Sequence, residues 1–85
     1  NDQTSKFLIE FKERLKMISD FNSENIEVEF KKYLTEKNLG MGKLLPAFRI
    51  SLTGLSMGPS LFDIASLIGK EETINRIEKA IKILA

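Results

Sequence analysis

The sequence contains no cysteine, no histidine and no tryptophan, and only one tyrosine and two prolines among its 85 residues. Without cysteine, no disulfide can staple the fold. Zinc is held by combinations of Cys, His and carboxylates, so the two absences leave a structural zinc site without its usual ligands. They also leave a Ser or Thr nucleophile without the imidazole that normally activates it. The chain by itself is therefore expected to be non-catalytic, with no cofactor and no metal of its own. Strong charge of one sign is missing too. Thirteen basic and twelve acidic residues give a net +1, too little for a strongly basic nucleic-acid binder. No apolar run approaches the ~20 residues of a membrane span, and the start lacks the charged-then-apolar layout of a signal peptide. The first residue is Asn rather than Met, which suggests a piece cut from a longer protein. A cytoplasmic origin is the default expectation.

What the sequence does have is apolar periodicity. Apolar residues make up 42% of the chain and include six Phe, enough for one modest core in a single small domain over 1–85. Charge is divided unevenly: residues 1–38 carry seven basic and eight acidic side chains, and 39–85 carry six basic and four acidic. Phe7, Leu8, Phe11, Leu15 and Ile18 recur at helical spacing, with Thr4 or Ser5 placed to cap the start. Asn22 or Ser23 can cap a second helix. In it Ile26, Val28 and Phe30 alternate like a strand, yet Ile26, Phe30, Tyr33 and Leu34 fit a helical face. Length favours the helix, which Gly40 is placed to end.

A third helix is expected over 43–53, with Pro46 tolerable in its first turn and Leu45, Phe48 and Leu52 on one face. Gly54 would stop it. Gly58 and Pro59 open a fourth helix whose core face is Leu61, Ile64, Ala65 and Ile68, closed by Gly69. The fifth runs from about 70 to 84, with Ile74, Ile77, Ile81 and Leu84 as its stripe. Glu72–Arg76 and Glu78–Lys82 are its supporting pairs. The fold class is all-α, a small bundle of about five short helices.

Three stretches invite a functional comparison. Gly69-Lys70 resembles a fragment of a phosphate-binding loop, but Ile64 stands where the first glycine belongs and Glu71 replaces the magnesium-binding hydroxyl. The stretch 61–80 imitates a DNA-reading helix-turn-helix. Its second helix begins with Glu71 and Glu72, which a phosphate backbone repels, so DNA is not the expected partner. The third is Arg49 with the Gly58-Pro59-Ser60-Leu61 corner. A helix start presents backbone N–H groups, Gly58 permits close approach, Pro59 and Leu61 offer apolar surface, and Arg49 supplies a stacked or bidentate contact to an unpaired base. Each of these residues also has a purely structural role available: a helix start, a core leucine, an ion-paired arginine. Both readings stand at this point.

The order of motifs PAFRISLTG, GPSLFDI and LIGKEET over 43–84 resembles the C-terminal end of bacterial glutamyl-tRNA synthetases. Over 1–42 only helical pattern and length agree. The resemblance implies the second of two all-helical anticodon-binding subdomains in a class I synthetase that attaches glutamate to tRNA. ATP and magnesium would be used in a catalytic domain upstream. It places the anticodon-binding residues on Arg49, Gly58, Pro59 and Leu61, with Lys43 and Lys70 as possible phosphate contacts, and implies tRNA and the upstream domains of the same chain as partners. Some family members have threonine where this chain has Gly58, which removes a hydroxyl contact there. The alternatives are a helical protein-interaction module without an RNA role and the helical cage of class I lysyl-tRNA synthetase.

Overall fold

In the computed structural model, which describes residues 2–54 and 60–84, five helices follow one another: α1 (Asp2–Lys16), α2 (Ser23–Lys37), α3 (Met41–Thr53), α4 (Leu61–Ile68) and α5 (Lys70–Leu84). They arise where the apolar spacing predicts them. Leu8, Phe11 and Leu15 of α1, Ile26, Phe30, Tyr33 and Leu34 of α2, Leu44, Phe48 and Leu52 of α3, Leu61 and Ala65 of α4 and Ile77 of α5 form one buried cluster. α1 packs most extensively on α5, and α2 on α4, while α3 lies against both α1 and α5.

Phe11 stands at the middle of this cluster. Its ring meets Phe30 edge-on at 5.3 Å and Phe48 edge-on at 5.1 Å, and lies 5.9 Å from Tyr33. Phe30 in turn reaches Phe62 of α4 at 5.4 Å. Four helices thus meet through aromatic rings, each such pair adding about 0.5–1.5 kcal/mol beyond the area it buries.

Val28 is 58% exposed while Ile26 and Phe30 are fully buried, which decides between the helical and strand patterns of the second element: a strand would put Val28 on the same face as both, whereas a helix turns it about 200° away from each. Several local expectations are corrected. Thr4 and Ser5 lie inside α1 rather than at its cap. The end of α2 is set by Asn38, not Gly40. Asn38 takes the left-handed conformation (φ 55°), its N–H reaches Leu34 O and Thr35 O, and Leu39 N–H closes onto Leu34 O at 2.8 Å. Asparagine tolerates this conformation better than other side chains do, so the helix stops two residues earlier. Gly40 becomes the N-cap of α3. Because α3 begins at Met41, Pro46 sits past its first turn, and Leu44 rather than Leu45 is its fully buried leucine. Glu78 reaches Lys12 of α1 at 3.3 Å instead of the expected Lys82, tying α5 to α1.

A polar clamp joins α1 to α2. The Arg14 guanidinium bonds Glu29 at 3.1 Å and Glu36, and lies 5.1 Å from the centre of the Tyr33 ring. The Tyr33 hydroxyl donates to Glu10 at 2.7 Å, and Glu10 also meets Lys37 at 3.2 Å. The Tyr33 hydrogen bond holds the Glu10 carboxyl below its ordinary value; burial opposes it, and Lys37 adds to the lowering. Burial first, and the same bond second, raises the Tyr33 phenol. The Arg14 hydrogen bond likewise lowers Glu36.

Candidate nucleic-acid interface

The candidate site is built from the end of α3 and the start of α4. Arg49 is half-buried on α3, flanking the core face formed by Leu44, Phe48 and Leu52. At ~100° of helix rotation per residue, it stands about 100° from Phe48 and on the side away from Ala47 and Ser51. Thr53 folds its hydroxyl back to donate to Arg49 O at 2.9 Å. Gly54 then ends the helix with φ 72°, and its N–H bonds Ile50 O at 2.9 Å. A side chain at Gly54 would meet no neighbour, so it is the backbone conformation that calls for glycine.

Arg76 of α5 secures this end of α3 from across the bundle. Its Nη1 donates to Leu52 O at 2.6 Å while its Nε bonds Glu72 at 2.7 Å. A cation at the last carbonyls of a helix satisfies both their hydrogen-bonding capacity and the negative end of the dipole. The Arg76 hydrogen bond holds the Glu72 carboxyl below its ordinary value.

α4 starts at Leu61, with Ser60 as an N-cap whose side chain makes no capping bond. Asp63 stands in the first turn and accepts a 2.5 Å hydrogen bond from Ser23 Oγ, at the start of α2. The first N–H groups of any helix have no intrahelical acceptor. Here a carboxylate already offsets the positive helix end, so the corner suits the edge of a neutral base, which has acceptors for these N–H groups, better than a phosphate.

The expected site residues fare differently. Arg49 is half-buried on α3, four residues before its last residue, Thr53. Gly58 and Pro59 fall outside the described residues. Leu61 requires a correction: its side chain is 2% exposed and belongs to the core, so it offers no apolar surface for a base, and only its backbone at the helix start is left for contact. Lys70 is turned to another task, donating Nζ to Lys16 O at 3.2 Å, near the C-terminal end of α1. Lys43 is exposed in the first turn of α3, but six residues of helix place it about 120° around the axis from Arg49. Lys43 and Arg49 do not share a face. The residues that sequence periodicity missed are Arg76, in its bond to α3, and the Ser23–Asp63 bridge. The Glu72–Arg76 spacing signals the local pair, and nothing local signals either long-range bond.

Comparison with known proteins gives a consistent picture. A family model described as "Anticodon binding domain" matches residues 1–81. The glutamate–tRNA ligase of Flavobacterium johnsoniae is 48% identical over 83 residues, covering 98% of this chain and 17% of that protein. The glutamate–tRNA ligase of Flavobacterium psychrophilum is 58% identical over 67 residues, covering 79% of this chain and 13% of that protein. Among solved structures, a glutamate tRNA ligase from Elizabethkingia meningosepticum, crystallised in complex with its amino acid, superposes over the whole chain. The TM-score is 0.94 at 39% identity, and the match covers 17% of that protein. The chain thus spans 13–17% of the length of these relatives.

Proposed function

The chain belongs to the anticodon-binding domain family, and from that premise we propose that it is the tRNA-recognition end of a glutamate–tRNA ligase. The observation that carries this reading is the likeness to glutamate–tRNA ligases over the full chain, at a TM-score of 0.94, together with motifs that map the family's binding residues onto Arg49 and the 58–61 corner. In this reading the chain is the second, C-terminal helical subdomain over 1–85. The attachment of glutamate to tRNA takes place in an upstream part of the longer protein, in the cytoplasm. No described helix is long and apolar enough to cross a membrane.

Recognition works through one unstacked nucleotide of the anticodon loop, the first of the anticodon. Arg49 contacts it from α3, and the backbone of Ser60 and Leu61 meets its base edge at the start of α4, beside the Asp63 carboxylate. Arg76 and Thr53 hold the end of α3, so Arg49 is presented from a backbone that is already fixed before RNA arrives. A preformed donor–acceptor set loses less conformational freedom on binding. ATP and magnesium would serve the upstream catalytic part. The residues here do not fit a nucleotide triphosphate: Gly69 is the C-cap of α4, and Lys70 is bonded to Lys16 O.

The test is an NMR titration of the chain with a hairpin RNA carrying the glutamate anticodon loop. Amide shifts at Arg49 and Ser60, weakening with salt, are the expected result. A spectrum unmoved by the RNA, with shifts appearing on addition of a protein partner instead, would favour a helical protein-interaction module.

A further inference from the structure

A second surface lies around α3 from Arg49. Between α3 and α5, with Thr4 of α1 at one end, the described residues enclose an open groove of about 620 Å³. Its floor and walls are aliphatic, formed by Pro46, Ala47, Ile50, Ala80 and Ile83, and Lys43, Arg76 and Lys79 stand along it. None of its described lining residues is acidic. Ile50 is 54% and Ile83 85% exposed, so apolar surface is left in water where two helices could have closed over it.

Lys43 and Lys79 form no ion pair among the described residues, while Arg76 is held by Glu72, whose carboxylate Lys79 also faces. Elsewhere Lys12, Arg14, Lys16, Lys31 and Lys37 each meet a carboxylate, and Lys6, Lys32 and Lys82 are exposed exceptions without an ion pair among the described residues. A ligand complementary to the groove has an apolar, flat body and negative charge beside it, which is the chemistry of an unpaired nucleotide. An acidic peptide shares the charge, but the groove is continuous with a helix whose neighbouring face carries Arg49. Ile50 follows Arg49 directly, about 100° further round a cylinder some 10–12 Å across. A strand held at Arg49 has only that helix to pass before its next nucleotide reaches the groove.

We propose that the α3–α5 groove is a second RNA subsite, holding the unpaired nucleotide next to the one at the Arg49 corner. The base rests on Ile50 and Ile83, and Lys43 and Lys79 hold the flanking phosphates. The proposal depends on the RNA-binding function argued above, and it extends the contact surface from one nucleotide to two.

The experiment is a methyl and amide NMR titration of the chain with the glutamate anticodon hairpin, repeated for Lys43→Gln/Lys79→Gln. Both lysines are exposed, so the variant keeps the fold, which its unbound spectrum verifies. The expected result is a shift of the Ile50 and Ile83 methyls with RNA. The double variant should bind about tenfold more weakly, with a salt slope shallower by about 1.4, from ~0.7 per lost phosphate contact on a single strand. RNA-induced shifts at Arg49 and Ser60 with silent groove methyls, and a variant that binds like the parent, would overturn the subsite while leaving the anticodon function intact. Silence at both places would overturn both. Groove methyls that move only when the rest of the ligase is added in trans would overturn the RNA subsite and make the groove a protein interface.

Discussion

The α1–α2 pair and the α3–α4 pair use similar residues to opposite ends. In α1–α2 the long side chains are spent internally: Arg14 on Glu29 and Glu36, Tyr33 on Glu10, and Glu10 on Lys37. Around α3 and α4 the charged groups are held from outside, with Arg76 reaching in from α5 to Leu52 O and Ser23 from α2 to Asp63. The lysines Lys43 and Lys79 are left unpaired among the described residues. One half acts as a scaffold. The other ties its polar groups to neighbouring helices and leaves Lys43 without an ion pair. The difference teaches that net charge, +1 over the whole chain, conceals how differently the two halves use their charged side chains.

The comparison breaks most completely at the residue common to both halves. Phe11→Ala should cost about 3–5 kcal/mol, read as a lower urea midpoint, because its ring touches α2 and α3 together. A loss below about 1 kcal/mol would mean the halves do not share a core. Next is Leu61→Ala. As a core residue it should lower stability by about 2–5 kcal/mol; weakened RNA binding with unchanged stability would restore it as a surface contact. Arg14→Met tests the scaffold alone. Its ion pairs are partly exposed to solvent, so about 1 kcal/mol of stability should be lost, and RNA affinity should stay as it was.

The smallest expected effect is that of acid. The Glu10, Glu36 and Glu72 carboxyls are all held below their ordinary value. A depressed folded-state value means stability is fully present above the ordinary carboxylate value and is lost as pH falls through the depressed one. The melting temperature should therefore be flat down to about pH 5 and fall in more acid solution. Arg14→Met should make that fall shallower, since Glu36 then loses the partner that lowers it. An unchanged acid slope in the variant would count against the clamp.

Helix number and most core faces were legible from spacing, because a helix that buries one side must repeat its apolar residues every three or four positions. Ile26, Phe30, Tyr33 and Leu34 illustrate this directly. Where spacing failed, a competing local chemistry won: Asn38 took the left-handed position expected of Gly40, and α3 began early enough to place Pro46 in its interior. Leu61 failed differently. Periodicity placed it on the core face and motif likeness placed it at the binding corner, and packing allowed the side chain only the first. Lys70, Arg76 and Asp63 were visible as charges, but their partners Lys16 O, Leu52 O and Ser23 lie 54, 24 and 40 residues away, and no local pattern encodes such contacts. Arg49 was singled out by its motif and lies half-buried on α3; Gly58 and Pro59 lie outside the described residues.

In the proposed function, Arg49 reads the first anticodon nucleotide. The most direct test of this role compares Arg49→Ala with the parent chain for binding of two hairpins, the natural glutamate anticodon loop and one altered only at the first anticodon base. The parent should prefer the natural loop. The variant should bind that loop about tenfold more weakly or worse and lose the preference. An Arg49→Ala chain that binds both hairpins as the parent does, with the preference intact, would contradict it.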